Sequence, residues 1–199
     1  MNTKKSFRSR FNVRTIATLG VLIALDLVLS RFASISTPIT RITVNFIARA
    51  VCGFIFGPIE ALLAAGVADA LGAVIFYGGD FFIGFTITAM FLGAMYGLFL
   101  NKKITIPRIL LVTLVNTVVG SGLLNTFFVA IKYQVMSGKL EFMSADFMSY
   151  FLNYMYTRLP QFGINAALQI VLLIALAKPL TMIKAKFYPE LMPYNVASK

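Results

Sequence analysis

The stretch FIFGPIEALLAAGVADALGAVIF, residues 54–76, decides the fold of this chain. It joins two apolar segments at Gly57 and Pro58, a pair of residues that interrupts a helical pattern. Only Glu60 and Asp69 carry charge within it. A helix that crosses a membrane needs about 20 mainly apolar residues. The stretch therefore predicts the end of one membrane helix, a tight turn and a second membrane helix.

The composition of the whole chain agrees with this reading. Of the 199 residues, 59% are hydrophobic and 13% are charged, whereas soluble domains carry about 25% charged residues. We therefore predict an all-α integral membrane protein. The chain has one cysteine and no histidine, so zinc, haem and Ser-His chemistry lack their usual groups, and we expect no metal, no cofactor and no enzyme activity.

Six apolar runs predict a compact bundle of six transmembrane helices. They lie near 13–30, 43–57, 60–76, 82–100, 106–132 and 148–178. The second run is short, and the last two are longer than a bilayer requires. We expect one membrane domain over 1–199, with a basic segment at 1–12, the bundle at 13–180 and a tail at 181–199.

Clusters of basic residues predict that both termini are cytoplasmic, because lysine and arginine accumulate on the cytoplasmic side of membrane proteins. The clusters precede the first run, occupy the connection at 101–108 and follow the last run; their members are Lys4, Lys5, Arg8, Arg10, Arg14, Lys102, Lys103, Arg108, Lys178, Lys184, Lys186 and Lys199. A cleaved signal peptide is the alternative for the first run. We favour an uncleaved span, because Arg31 precedes the small residues where cleavage would fall.

Small residues recur within the spans at a spacing of four. Gly53 and Gly57 form one such pair, and Gly93 and Gly97 form another. This spacing predicts close helix–helix packing.

A further set of ionisable groups lies towards the extracellular half, within the spans or in the outer loops beside them: Asp26, Arg31, Arg41, Arg49, Asp69, Asp80 and Arg158. Charges in hydrocarbon are expensive, so these groups should face the bundle interior, where they pair with one another or line a cavity. For Asp26 and Asp69, simple pairing with an arginine remains open.

A polar stripe on the sixth run points to the same half of the membrane. Tyr154, Arg158, Gln161, Asn165 and Gln169 recur at helical spacing, with Pro160 expected to loosen the backbone beside Arg158.

The combination of arginine, amide and aromatic groups suits a planar or carboxylated solute that arrives from outside. Arginine matches a carboxylate, and the phenylalanines at 81, 82 and 85 offer rings for stacking. The predicted substrate-binding residues are Arg31, Arg41, Arg49, Asp69, Asp80, Phe81, Phe82, Tyr154, Arg158 and Gln161. No nucleotide-binding loop of the P-loop type is present. The sequence therefore favours a binding subunit whose transport is driven by another protein over a pump that hydrolyses ATP itself.

Three stretches carry a resemblance to a known family: ALDLVLSRFASI at 24–35, FIFGPIEALLAAGVADALGAVIF at 54–76 and FIGFTITAMFLGAMYGLFL at 82–100. They resemble the substrate-binding S-components of energy-coupling factor (ECF) vitamin transporters, and the folate-specific branch most closely. The resemblance covers about 13–180.

The resemblance implies a mechanism and partners. An S-component binds its vitamin at the outer face and docks on a membrane coupling T-component carried by two cytoplasmic ATPase subunits. Docking in the family uses a small-residue pair on the first helix, and the matching positions here are Gly20 and Ala24, which read G-xxx-A rather than A-xxx-A. We expect no nucleic acid partner and a location in the cell membrane.

Other readings remain open at this point. Relatives in the same branch take up other vitamins, so cobalamin, pantothenate or a related heterocycle is the alternative substrate. Gly20 and Ala24 are also compatible with packing inside the bundle. From another class, an intramembrane enzyme or a purely structural membrane protein is the distant alternative.

Overall fold

The computed structural model describes residues 12–33, 35–36, 41–76, 81–139 and 141–191. A two-stranded antiparallel ribbon pairs β1 Ile35–Ser36 with β2 Arg41–Ile42, and a short 3-10 turn occupies Pro189–Leu191. The helices of the described part are α1 Val13–Arg31, α2 Phe46–Ile55, α3 Pro58–Phe76, α4 Ile83–Leu100, α5 Ile106–Val135, α6 Ala145–Thr157 and α7 Leu159–Phe187.

The prediction of an all-α membrane protein agrees with this architecture. Within the described residues, α1, α3, α4, α5 and α7 are long and apolar enough to cross a membrane, and α2 is a shorter apolar helix of 10 residues. The predicted turn between the second and third runs is present. Gly57 has a φ of +117° there, a conformation that favours glycine, and Pro58 starts α3.

The sixth predicted span, 148–178, is not one continuous helix. The run at 148–178 is divided between α6 and α7, which meet at Arg158. Pro160 explains the break, because it has no backbone N–H and its ring excludes the carbonyl one turn earlier. At its other end α7 continues to Phe187, past the predicted bundle end at 180.

The predicted packing of the small residues is confirmed where helices meet α4. A Cβ atom on Gly53 of α2 would lie 2.5 Å from the backbone nitrogen of Gly97. A Cβ atom on Gly93 would lie 2.5 Å from the carbonyl oxygen of Ala61 in α3. No side chain fits at such distances, so these glycines allow α2 and α3 to pack directly against the backbone of α4.

Lys184 of α7 forms hydrogen bonds to α2 and α4 at the end of the bundle where those two helices terminate. The side chain is fully buried, and its Nζ donates to the carbonyl oxygens of Phe54, at 2.5 Å, and Asn101, at 2.9 Å. The last carbonyls of a helix have no partner within the helix, and the helix dipole makes them attractive to a cation. Lys184 of α7 therefore caps the C-terminal ends of both α2 and α4.

Replacing Lys184 by methionine should destabilise the protein by about 1–3 kcal/mol, because the buried carbonyls lose their donor. The measurement is the midpoint of thermal unfolding of the purified protein in detergent. Lys178→Met is the matched control, because Lys178 is exposed on the same helix. Equal midpoints for the two variants would contradict the capping role.

Candidate substrate-binding site

A cavity of about 870 Å³ opens at one end of the bundle. It lies where α1, α3 and α5 end, where α2 and α4 begin, and beside the junction of α6 and α7. Deeper along their helices, Tyr96 of α4 and Gln169 of α7 line it, and the Tyr96 hydroxyl donates to the Gln169 Oε1 at 3.0 Å. We call this end of the bundle the cavity end.

Arg49 and Asp26 form an ion pair on the cavity wall between α2 and α1. The Arg49 Nε lies 2.8 Å from the Asp26 Oδ2, and the two side chains are only 11% and 5% exposed. The predicted pairing of Asp26 with an arginine is therefore confirmed, and Asp26 also lines the cavity. Arg49 lines the cavity, but its charge is largely balanced before any ligand arrives.

Arg158 is held differently, at the junction of α6 and α7. Its Nη1 donates to the Asn125 Oδ1 at 3.1 Å and its Nε to the Gln161 Oε1 at 3.3 Å. The guanidinium group lies between two rings, 5.3 Å from the centroid of Tyr154 and 5.5 Å from that of Phe162. Neutral amides and rings orient the group without cancelling its charge. Within the part of the chain that the structure describes, no carboxylate pairs with Arg158.

Aromatic rings form much of the remaining wall. Phe82 and Phe85 pack edge to face, with centroids 5.3 Å apart, and Lys132 of α5 lies 5.5 Å above the ring of Phe85. Tyr150 and Tyr154 of α6 stack nearly parallel, with centroids 5.8 Å apart. Such surfaces suit a flat, conjugated ligand.

Comparison with known proteins assigns the family. The profile of the family described as "ECF transporter, substrate-specific component" matches residues 14–177. The chain belongs to this family. Together with its apolar helices, this makes the chain a multi-pass membrane protein of the transport class, and the resemblance seen in the sequence is confirmed.

Individual relatives of this substrate-specific component carry a more specific name. "Folate transporter FolT" of Clostridium novyi (strain NT) is 38% identical over 128 residues, which are 64% of this chain and 72% of the relative. "Folate transporter FolT" of Leuconostoc mesenteroides subsp. mesenteroides is 34% identical over 89 residues, 45% of this chain and 48% of the relative. A solved structure described as "Crystal structure of FolT bound with folic acid" superposes with a TM-score of 0.69 at 30% identity, covering 84% of this chain and 95% of that one.

Most of the predicted substrate-binding residues of this substrate-specific component meet at the cavity. The predicted residues that line it are Arg31, Arg49, Asp69, Phe81, Phe82, Tyr154, Arg158 and Gln161. Asp80 lies outside the described residues. The backbone of Arg41 belongs to β2, and its side chain is outside the described part of the chain.

Lys132 and Tyr150 are among the lining residues that the sequence analysis missed. Lys132 lines the cavity from α5, but it falls at the end of the predicted fifth span, where a basic residue looks like a membrane boundary. Tyr150 lies four residues before Tyr154, so extending the polar stripe backwards by one turn would have found it.

Gly20 and Ala24 lie on the surface of this substrate-specific component. Both are exposed on α1, on the face opposite Leu22 and Asp26, which are buried. A Cβ atom on Gly20 would have no neighbour within 4 Å among the described residues. The alternative reading of this pair, packing inside the bundle, therefore receives no support from the described structure.

Proposed function

We propose that this chain is the substrate-binding subunit of an ECF-type importer that takes up folate. It binds folate from the extracellular side and delivers it through an ATP-driven coupling module, made of a membrane T-component and two cytoplasmic ATPase subunits. In this role the chain is located in the cell membrane and performs no catalysis itself.

The observation that carries this proposal is a cation in an aromatic cavity, Arg158, that no carboxylate of the described residues neutralises. Folate joins a flat pteridine ring to a glutamate with two carboxylates, so it needs rings at one place and a cation at another. Arg158 supplies the cation, and the wall around Phe82 and Phe85 supplies the rings. A volume of about 870 Å³ lies in the range of about 300–1,000 Å³ that holds ligands of this size. The choice of folate as the substrate rests on the names of the FolT relatives given above.

We further propose a single membrane domain over 1–199, with six spans and both termini in the cytoplasm. In this arrangement α1, α2, α3, α4, α5 and α7 cross the membrane. The short α2 counts as a crossing because Arg49 near its start lines the cavity, whereas Phe54 near its end bonds to Lys184 at the opposite end. The basic segment at 1–12, the connection at 101–108 and the lysines of the C-terminal region then share the cytoplasmic side.

Calorimetric titration of the purified protein tests the choice of substrate. The protein, freed of retained ligand, is titrated separately with folic acid, pantothenate and cyanocobalamin. We expect folic acid to bind more tightly than either of the other two. Tight binding of cyanocobalamin or pantothenate without binding of folic acid would replace folate by that vitamin and leave the family assignment intact.

A further inference from the structure

Tyr188 connects the end of α7 to the first turns of α1, at the end of the bundle opposite the cavity. It follows the last residue of α7, and its side chain is 5% exposed. Its hydroxyl lies 2.7 Å from the Thr18 Oγ1 of α1. The Thr18 hydroxyl in turn donates to the carbonyl oxygen of Arg14 at 2.9 Å. Since a threonine hydroxyl has only one proton, Tyr188 is the donor of the bond between the two helices.

The ring of Tyr188 makes two further contacts that fix its position. The Arg14 guanidinium group lies 5.1 Å from the ring centroid, which is a cation–π contact. The ring of Phe56, the residue that follows α2, packs edge to face with it at 5.2 Å between centroids. One turn earlier on α7, Lys184 caps α2 and α4. The end of α7 therefore joins the start of α1 to the ends of α2 and α4.

The start of α1 has little buried surface of its own. Of the 19 residues of α1, Leu22 and Asp26 are the buried ones, so residues 13–21 include no buried side chain. The ion pair of Asp26 with Arg49 holds α1 further along, on the wall of the cavity. A helix end with few buried apolar contacts separates from its neighbours at a low cost in free energy. The contacts of Tyr188 therefore contribute much of what fixes the direction of α1 at this end.

We infer that Tyr188 is a positioning residue for transport, which fixes the start of α1 and so holds Gly20 and Ala24 in the orientation needed for docking. Thr18 lies two residues before Gly20 on the same helix. A preorganised surface binds its partner more tightly, because less free energy is spent on ordering it. This inference rests on the proposed function and on docking through this face of α1. Tyr188 is not among the residues that line the cavity, so it should affect uptake and not ligand binding.

The first test removes the bond between Tyr188 and Thr18 with little change of shape. Tyr188→Phe and Thr18→Val should each reduce the rate of ATP-dependent folate uptake, by vesicles that contain the assembled complex, by about 2- to 10-fold, the value of one hydrogen bond. The affinity of the isolated protein for folic acid should stay unchanged. Thr18→Ser, which keeps the hydroxyl, should retain full uptake. The double variant should lose no more uptake than either single one, because both remove the same bond.

Thr181→Val is the matched control for these variants. Thr181 is exposed on α7, and its hydroxyl donates to the carbonyl oxygens of Ala177 and Lys178 in the same helix. The variant thus removes bonds within a helix, like the bond from Thr18 to Arg14, and leaves the bond between α7 and α1 in place. It should take up folate at the rate of the unaltered protein.

A distance measurement tests the positioning itself. Spin labels are attached to cysteines that replace Ile16 of α1 and Leu110 of α5, which are both exposed, whereas the native Cys52 is buried. Pulsed electron paramagnetic resonance then gives the distribution of distances between the two labels. Tyr188→Phe should broaden this distribution, because the start of α1 is less firmly held, and Thr181→Val should not.

Three results would overturn the inference: full uptake with Tyr188→Phe and Thr18→Val, an unchanged distance distribution in Tyr188→Phe, or a loss of affinity for folic acid that accompanies the loss of uptake. The last result would show that Tyr188 supports the whole structure and not the docking face in particular. If the unaltered protein did not bind folic acid, the proposed function would fail. The distance distributions would still show whether Tyr188 fixes α1.

Discussion

Replacing Arg158 by alanine is expected to weaken the binding of folic acid by about 2–5 kcal/mol, or about 30- to 5,000-fold. The guanidinium group is oriented by Asn125 and Gln161, and no carboxylate among the described residues neutralises it. A ligand carboxylate therefore gains a preorganised, charge-assisted contact in a partly desolvated site. Removing the arginine leaves that ligand charge without its partner.

The measurement is a calorimetric titration of the purified Arg158→Ala protein with folic acid. Arg108→Ala serves as the matched control, because Arg108 lies at the start of α5, at the end of the bundle opposite the cavity. Arg49 is a poorer test, since its removal would leave the buried carboxylate of Asp26 unpaired and would affect stability as well as binding. Unchanged affinity in a folded Arg158→Ala protein would show that Arg158 does not hold the ligand's acidic group.

Replacing Gly20 or Ala24 by tryptophan is expected to abolish folate uptake while leaving folate binding nearly intact. Both residues are exposed on the side of α1 away from the cavity, so a large side chain there disturbs no ligand contact. If this face docks on the coupling module, small residues let two helices approach closely, and tryptophan would hold them apart.

Two quantities are measured for each of these variants: ligand titration on the isolated protein, and ATP-dependent folate uptake by vesicles that contain the assembled complex. Leu114→Trp is the control, because Leu114 is also exposed but belongs to α5 and not to the α1 face that carries Gly20 and Ala24. Loss of binding together with uptake would indicate internal packing at Gly20 and Ala24. Full uptake with both tryptophans would place the docking surface elsewhere.

Much of the fold could be predicted from the sequence because a membrane-spanning helix is encoded locally. Length and hydropathy alone placed α1, α3 and α4 within one or two residues of their observed bounds. The division of the sixth run was harder to predict, because apolar residues continue on both sides of Pro160. Lys184 was assigned to the tail for a related reason. A lysine beyond an apolar run looks solvated unless the carbonyls that it caps, which come from distant helices, are known.

The candidate site was likewise predictable only in part from the sequence. Charges that share one depth could be grouped from the sequence, because depth follows from position along a helix. Their pairing could not be predicted, because it depends on how the helices are rotated and packed. Thus Arg49 is paired with Asp26 and Arg158 is not paired with any described acid, although the sequence presents them as equivalent. The hydrogen bond from the Thr86 hydroxyl to Asp69 joins neighbouring helices and leaves no periodic signal.

The most direct test of the account is an experimental structure of this chain with folic acid bound. We predict that the ligand occupies the cavity at the ends of α1, α3 and α5, with a glutamate carboxylate within hydrogen-bond distance of the Arg158 guanidinium group. Folic acid bound outside this cavity, or bound inside it without contact to Arg158, would contradict the account.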